Sequence, residues 1–196
     1  MTEKKKNKEQ KKKYKIGIDI DGVLRDFSTT FHSLMKRDYP DVVLTDTIVD
    51  WDFEKSFTMD RKELQKLYWG EYKRDVFRFA PPIKDSIMHM RKLFIWADEN
   101  KHKLIAVSSQ RPTGRSDSLY WLGNHYLGFE EVHFIRGEKK WKKDIDWLVD
   151  DSPENYKHWI NNRDEDGFIL FDAPYNQYLK PTYRVKSLWE ITNIIN

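Results

Sequence analysis

Residues 14–24 read YKIGIDIDGVL, and this stretch is the most informative in the chain. Its isoleucines occupy alternate positions, at Ile16, Ile18 and Ile20. β-Branched residues at a spacing of two are typical of a buried strand, and Gly22 interrupts the apolar run. We therefore expect a strand that ends near Asp21, with the carboxylates of Asp19 and Asp21 at its carboxyl end.

Four further short apolar runs each end in polar or turn-forming residues. They cover residues 104–107, 131–135, 147–149 and 168–171. Segments that favour helices separate most of these runs, at 83–97, 116–127 and 155–161. This alternation predicts an α/β fold of Rossmann-like type, with a central, mostly parallel five-stranded sheet flanked by helices.

The segment at about residues 28–79 fits no strand of this series. It contains two helical patches and carries large aromatic residues, Trp51 and Trp69 among them. We interpret it as a small helical cap, inserted after the first strand of a domain that spans residues 14–196.

The composition is typical of a globular protein, since 39% of the 196 residues are hydrophobic and 15% are aromatic. The sequence contains no cysteine, which excludes disulfide frameworks, thiolate zinc sites, iron–sulfur clusters and cysteine nucleophiles. No apolar run approaches the roughly 20 residues that span a bilayer, and no apolar stretch follows the N-terminal lysines as in a signal peptide. These features predict a cytoplasmic protein that does not associate with membranes.

Residues 1–13 hold seven lysines and two glutamates, a net charge of +5, so the rest of the chain carries −2 of the formal total of +3. A lysine-rich segment with few apolar side chains cannot offset its ordering entropy by burial. We expect a disordered tail that makes only weak, nonspecific contact with nucleic acid.

Polar side chains stand at several of the predicted strand ends, where open parallel sheets bind their ligands. They are Asp19, Asp21, Ser108, Asp150 and Asp151. Converging carboxylates repel one another unless a cation lies between them, and oxygen ligands without cysteine or clustered histidine favour Mg²⁺. An aspartate beside Mg²⁺ stays ionised and can attack phosphorus. The sequence therefore predicts Mg²⁺ as a cofactor.

The motifs IDIDGVL, VSSQ, a lysine cluster and LVDD resemble, in this order, those of the haloacid dehalogenase-like (HAD) phosphohydrolase superfamily. Within it, DIDGVLRDF, the insertion, LVDDSPENY and FDAPYNQY with Arg184 and SLWE resemble the 5′(3′)-deoxyribonucleotidases of phage and bacterial type. The resemblance covers nearly the whole chain after the tail. It implies a HAD fold and a Mg²⁺-dependent phosphatase that hydrolyses (deoxy)ribonucleoside monophosphates through an aspartyl-phosphate.

The resemblance also implies roles for individual residues. Asp19 is the expected nucleophile, and Asp21 is the general acid and base that protonates the leaving nucleoside and later takes a proton from water. Asp19, the backbone carbonyl of Asp21, Asp150 and Asp151 are expected at or beside the metal. Ser108 is expected to hold a phosphate oxygen.

A lysine should neutralise charge on the nucleophile and the phosphoryl group. The run KKWKK offers four lysines for this role. Lys140 is preferred because it stands ten residues before Asp150, a spacing that resembles that of the family. Lys139, Lys142 and Lys143 remain alternatives.

By the same analogy, the base of a nucleotide is expected between aromatic side chains of the cap and of the loop after the first motif. The candidates are Phe27, Trp51 and Trp69. Ser109 is a further candidate for substrate binding, and Arg111 and Arg136 are candidates for contacts with the phosphate or sugar. Arg25 departs from the family pattern, in which a small residue follows GVL.

Two other functions stay open at this point. The basic tail is compatible with a 3′-phosphatase that acts on nucleic-acid ends, and a catalytically silent relative would bind a nucleotide or nucleic acid without turnover. The sequence does not fix the oligomeric state, and a homodimer is compatible with it.

Overall fold

The computed structural model describes residues 12–195, and its centre is one sheet of six parallel strands in the order β3-β2-β1-β4-β5-β6. The strands are β1 Lys15–Ile18, β2 Lys103–Ser108, β3 Glu131–Phe134, β4 Trp147–Asp150, β5 Phe168–Phe171 and β6 Tyr183–Val185. The predicted α/β fold with a parallel sheet is confirmed, and every predicted strand is present.

The predicted number of strands was wrong by one, because β6 adds a sixth strand at the sheet edge beside β5. This strand has three residues, and its central residue is Arg184. The Arg184 guanidinium donates to the Oδ1 atoms of Asp172 and Asn176, at 2.7 and 2.8 Å, which compensates for its partial burial. A strand this short and polar has no hydrophobic pattern for sequence analysis to detect.

β1 ends at Ile18, earlier than predicted. After Asp19 the backbone turns, and the amides of Leu24 and Arg25 both donate to the carbonyl of Ile20 at 2.8 Å. Ile20 is fully buried, so its side chain continues the apolar pattern of the strand into the turn. The sequence pattern therefore extends past the end of the hydrogen-bonded strand.

Six α-helices accompany the sheet in the described part of the chain. They are α1 Phe27–Asp38, α2 Arg61–Lys66, α3 Ser86–Asn100, α4 Pro112–Asn124, α5 Pro153–Ile160 and α6 Ile191–Ile194. α5 begins as expected from its sequence, because the Ser152 hydroxyl accepts a hydrogen bond from the Asn155 amide at 3.2 Å and Pro153 takes the first helical position. α4 begins four residues before the predicted start, also at a proline.

Two apolar clusters pack on the sheet and join it to the helices. One includes Ile16, Ile18, Val149 and Ile169 together with residues of α3 and α4. The other includes Ile105, Val107, Leu148, Phe168 and Leu170 together with residues of α5. Because strand side chains alternate between faces, the two clusters cover opposite sides of the sheet, as in other parallel sheets that are buried on both faces.

The segment predicted as a cap has an apolar cluster of its own. This cluster consists of Phe31, Met35, Phe57, Leu64, Tyr68, Tyr72, Val76 and Phe77. Two π-helical segments, Leu67–Glu71 and Asp75–Phe79, complete the insertion. The chain enters and leaves it side by side, because Arg25 forms an antiparallel bridge with Pro82 and the Ile83 amide donates to the Leu24 carbonyl at 2.8 Å. The insertion therefore stands next to the end of β1.

None of the helices within residues 12–195 has the length and hydrophobicity to cross a bilayer. Of the predicted disordered tail, residues 1–11 lie outside the described residues.

Candidate active site

Asp19 lies directly after β1, at the centre of the sheet. The strand order places β2 and β4 on the two sides of β1, so the carboxyl ends of these three strands form one edge. The Asp19 amide donates to the Val149 carbonyl at 3.0 Å, which extends the pairing of β1 and β4 by one residue. Asp19 is 6% exposed and lines a cleft at this edge, the place where open α/β sheets bind ligands.

Three buried carboxylates meet at this edge. Asp19, Asp150 and Asp151 offer oxygen atoms that all lie within 4.8 Å of one another. Burial raises the pKa of Asp19 well above its usual value, Lys140 opposes this shift, and the charge of Asp150 adds to it. Burial, followed by the charge of Asp150, also raises the pKa of Asp151 to about 7. The cluster therefore favours the binding of positive charge.

Lys140 is the lysine of the KKWKK run that enters the cluster. Its Nζ atom lies 2.6 Å from Asp19 Oδ2 and 2.7 Å from Asp150 Oδ2, and the side chain is 1% exposed. Burial lowers the pKa of the ammonium group, but the charges of Asp150 and Asp19 outweigh burial and raise the net pKa above its usual value. The three alternatives do not enter the cluster, because Lys139 and Lys142 are exposed and Lys143 is half-buried without a contact to these carboxylates.

Asp150 is also held by groups that the sequence analysis did not single out. The Asn155 side-chain amide donates to both of its oxygens, at 3.1 and 2.9 Å, and the Ser152 amide donates to Oδ1 at 2.8 Å. Asn155 lies in the first turn of α5, so the same Ser-Pro-Glu-Asn sequence that begins the helix also directs an amide to the acidic cluster. The sequence DDSPEN, in which a helix start directly follows the two aspartates, is the feature from which these hydrogen bonds to Asp150 could have been predicted.

Unpaired polar atoms mark the same cleft. Within residues 12–195, three buried side-chain atoms of residues that line the cleft have no hydrogen-bond partner. The three are Ser108 Oγ, Gln110 Oε1 and Asp151 Oδ1. A buried polar atom without a partner costs about 1–3 kcal/mol, so this concentration indicates a site that is completed by a bound ligand.

Gly22 lets the first loop approach the acidic cluster. It has a φ of +78°, and a Cβ atom at this position would lie 1.9 Å from Asp151 Oδ2. We expect Gly22→Ala to lower the free energy of unfolding by about 2 kcal/mol or more, because the left-handed backbone alone costs an alanine about 1 kcal/mol. Urea denaturation measures this loss. Gly123→Ala is the control, since a Cβ there has no neighbour within 4 Å, and an equal loss in both variants would contradict the explanation.

Asp21 stands apart from the three clustered carboxylates. Its Oδ1 atom accepts from Arg25 Nε at 2.8 Å and lies 2.7 Å from Arg25 Nη2, while its Oδ2 atom accepts a short bond from Gln110. The side chain is 26% exposed and lines the cleft. Its carboxylate thus faces the cleft and is held from both sides, and neither Arg25 nor Gln110 was assigned a role from the sequence.

The cleft has a volume of about 550 Å³ and runs between the sheet edge and the insertion. Four of the residues predicted to contact substrate line it: Phe27, Trp51, Trp69 and Ser109. Arg136 does not, because its side chain is 78% exposed and lies 3.7 Å from Glu138. A volume of this size suits a nucleotide-sized ligand.

The aromatic wall differs from the expected arrangement. Phe27 and Trp69 both stack on Phe77, with ring centroids 5.3 and 4.7 Å away, so Phe77 fills the space between them. Trp51 lies elsewhere in the cleft and contacts Tyr175, whose hydroxyl donates a short bond to Asp151 Oδ2. The predicted base-binding residues therefore form one continuous wall and one separate face near the acidic cluster.

A polar group in the insertion also lines the cleft and was missed from the sequence. Glu54 is buried and accepts hydrogen bonds from Tyr68 at 3.0 Å, from Gln65 at 3.4 Å and from Arg61 by a short contact. Isolated polar residues in a helical segment give no pattern that distinguishes such a cluster from a solvated surface.

Residues 13–196 match the family described as 5′ nucleotidase, deoxy (pyrimidine), cytosolic type C protein (NT5C). No curated protein matches the chain at a significant level.

Several solved structures share the fold. A HAD-superfamily hydrolase of subfamily IA from Geobacter sulfurreducens has a TM-score of 0.59 at 14% identity, over 93% of this chain and 100% of its own. The HAD-type protein YfnB from Bacillus subtilis, bound to magnesium, has a TM-score of 0.58 at 15% identity, over 94% and 100%. L-2-haloacid dehalogenase from Xanthobacter autotrophicus has a TM-score of 0.55 at 13% identity, over 94% and 98%. At these identities the similarity shows the HAD fold alone.

Proposed function

The chain belongs to the 5′ nucleotidase, deoxy (pyrimidine), cytosolic type C protein family, and from this membership we propose that it is a Mg²⁺-dependent 5′(3′)-deoxyribonucleotidase. It is a phosphoric monoester hydrolase of the HAD superfamily. The proposal concerns the metal, the nucleoside monophosphate substrate and an aspartyl-phosphate formed on Asp19.

One observation carries the proposal: the buried ammonium group of Lys140 lies between Asp150 and Asp19, and Asp19 lines a nucleotide-sized cleft. A structural ion pair needs only one carboxylate, whereas this ammonium group meets two, and a third carboxylate lies beside them. Such an arrangement holds a nucleophilic carboxylate in place and partly neutralises its charge against an incoming phosphate.

The acidic cluster fits a hard divalent cation. Its donors are carboxylate oxygens, the type that Mg²⁺ prefers, and Asp151 Oδ1 is buried without a partner. We propose that Asp19, Asp150 and Asp151 hold Mg²⁺ together with the backbone carbonyl of Asp21. A bound Mg²⁺ would neutralise charge on the phosphoryl oxygens.

The side chains of the cleft suggest the order of chemical steps. An Asp19 carboxylate oxygen attacks phosphorus, the ester P–O bond breaks with its electron pair on oxygen, and Asp21 gives that oxygen a proton. Ser108 Oγ, which has no partner among the described residues, donates to a phosphate oxygen. Asp21 then takes a proton from the water that attacks the aspartyl-phosphate, so inorganic phosphate leaves and both aspartates are restored.

Binding and removal of Mg²⁺ should be detectable as a change in melting temperature, without an activity measurement. We expect Mg²⁺ to raise the melting temperature of the wild-type protein, corresponding to about 2.7 kcal/mol at a Mg²⁺ concentration of about 100 Kd. Differential scanning fluorimetry with and without chelator measures the shift. Asp150→Asn should abolish it and Asp172→Asn should retain it, because Asp172 pairs with Arg184 outside the cluster. An equal shift in both variants, or none in the wild type, would argue against this metal site.

The substrate is tested by phosphate release from a panel of 5′- and 3′-monophosphates of deoxyribonucleosides and ribonucleosides in Mg²⁺. We expect release from deoxyribonucleoside monophosphates, with the pyrimidine forms included. Release from none of the nucleotides, while an unrelated phosphate ester is hydrolysed, would overturn the proposed substrate class.

A second candidate, a 3′-phosphatase of nucleic-acid ends, is favoured by a groove next to the cleft. The groove shares Gln65 and Trp69 with the cleft, and its cations are Lys62, Lys66 and Arg111. Arg111 lies over the Trp69 ring, 5.0 Å from its centroid. A 3′-phosphorylated oligonucleotide hydrolysed with a higher kcat/KM than the free 3′-monophosphate would favour this candidate.

We also propose the partners and the location that the sequence predicts. They are a small-molecule nucleotide substrate, weak nucleic-acid contact through the basic tail and a cytoplasmic location, while the oligomeric state stays open and a homodimer is compatible with the sequence. A catalytically silent binding protein is not carried forward, because the chain is a phosphoric monoester hydrolase.

A further inference from the structure

Arg25 is a fully buried charged side chain beside the cleft. It is 0% exposed, and Asp21 is its ion-pair partner. Its Nε and Nη2 atoms lie 2.8 and 2.7 Å from the same oxygen, Asp21 Oδ1. A charged group removed from water is costly unless a counter-charge faces it, so the position of Arg25 depends on Asp21.

The guanidinium group is fixed by parts of the molecule that are distant in sequence. Nη1 donates a short bond to the Phe77 carbonyl of the insertion, and Nη2 donates to Ser118 Oγ of α4 at 3.1 Å. The rings of Phe77 and Trp121 lie 5.4 and 5.6 Å from the guanidinium carbon. An arginine held by these contacts presents its remaining donors in one direction only.

That direction determines how Asp21 presents its carboxyl group. Asp21 is partly exposed and follows the strand in a turn, so its side chain would otherwise have freedom to rotate. Arg25 occupies Oδ1, while Oδ2 accepts a short hydrogen bond from Gln110, a cleft-lining residue whose Oε1 has no partner. Oδ2 is therefore the oxygen that Arg25 does not bind and that contacts a residue of the cleft wall.

We propose that Arg25 is a positioning residue that holds Asp21 with Oδ2 toward the leaving oxygen of the substrate. This inference rests on the proposed function and adds to it a residue that departs from the small one expected at this place. Because Arg25 acts through Asp21, its removal should impair the step in which the ester P–O bond breaks and Asp21 protonates the departing oxygen. Protonation matters when the leaving group is a nucleoside alkoxide and little when it is a dinitrophenolate.

The test compares kcat/KM for a deoxyribonucleoside monophosphate with kcat/KM for 2,4-dinitrophenyl phosphate. The value of kcat/KM reports only the steps up to and including the first irreversible step. It therefore does not depend on the later hydrolysis of the aspartyl-phosphate. We expect Arg25→Met to lower kcat/KM for the nucleotide about 100-fold or more and to change that for dinitrophenyl phosphate about threefold or less. Arg184→Met is the matched control, since Arg184 also pairs with an aspartate at this sheet edge but does not line the cleft. Any change that it causes in kcat/KM should be the same for both substrates.

A double-variant cycle checks that the effect passes through Asp21. In an Asp21→Asn background, Arg25→Met should cause no further loss of kcat/KM for the nucleotide. Multiplicative losses would contradict the proposal, as would equal losses for the two leaving groups or no loss for either. If Arg25→Met does not fold, Arg25→Lys and Ser118→Ala are judged by the same ratio, with smaller but still leaving-group-selective losses expected. Absence of hydrolysis by the wild type refutes the proposed function instead.

Discussion

Replacement of Asp19 by asparagine is expected to abolish turnover. An amide nitrogen or oxygen cannot replace the carboxylate as nucleophile, so kcat for the preferred nucleotide should fall roughly 10⁴-fold to 10⁶-fold. Phosphate release in Mg²⁺ measures the loss, and circular dichroism confirms that the variant is folded.

The matched control for this variant is Asp172→Asn. Asp172 follows β5 at the same edge of the sheet but pairs with Arg184 outside the cleft. We expect the control to keep kcat within about threefold of the wild type. Substantial phosphate release by Asp19→Asn, or an equal fall in the two variants, would show that Asp19 is not the nucleophile.

Replacement of Lys140 by methionine should affect both activity and stability. The ammonium group faces Asp19 and Asp150 at 2.6 and 2.7 Å, and its loss leaves three buried carboxylates without their internal cation. We expect kcat to fall about 10³-fold, since charge that develops on the phosphoryl group is no longer neutralised. Without Mg²⁺ the free energy of unfolding should fall by about 3 kcal/mol, because a buried ion pair loses one partner.

Lys142→Met is the control for this variant, because Lys142 belongs to the same run and is exposed. It should leave kcat and the free energy of unfolding unchanged within about twofold and 0.5 kcal/mol. Steady-state kinetics and urea denaturation of both variants give the comparison. Equal effects of the two substitutions would mean that the lysine run acts through its general charge and that the burial of Lys140 has no particular consequence.

The fold could be predicted because its strands leave strong local signals. The apolar runs of β1, β2, β4 and β5 are each followed by an aspartate or a serine, which places polar groups at one sheet edge without any knowledge of tertiary contacts. The exceptions have local causes. β6 is short and centred on Arg184, and the apolar pattern of β1 continues through Ile20 into a turn.

The candidate site was only partly predictable, because its supporting contacts depend on tertiary packing. Spacing from Asp150 favoured Lys140 but left three other lysines as alternatives, and its burial and its contacts with Asp19 and Asp150 separate it from them. Arg25 and Asp21 are only four residues apart in sequence, but the geometry of their contact depends on Phe77 and Ser118, which are distant in the chain. Sequence patterns also cannot show that Phe77 fills the space between two aromatic residues expected to bind a base.

The side chains of the insertion are the ones that select the substrate. Related HAD scaffolds act on many phosphate esters, so the reaction class follows from the sheet edge and the substrate from the residues that cover it. In this chain the cover is an aromatic wall next to a polar group centred on Glu54. A nucleotide bound in the cleft would therefore meet both stacking surfaces and hydrogen-bonding groups.

The most direct measurement is the capture of the covalent intermediate. Wild-type protein is mixed with a ³²P-labelled deoxyribonucleoside monophosphate in Mg²⁺, quenched with acid within milliseconds, and the labelled peptide is mapped. We expect label on Asp19 that survives acid, is released by hydroxylamine and is absent from Asp19→Asn. Turnover without any labelled protein at these times, or label that maps to a residue other than Asp19, would contradict it.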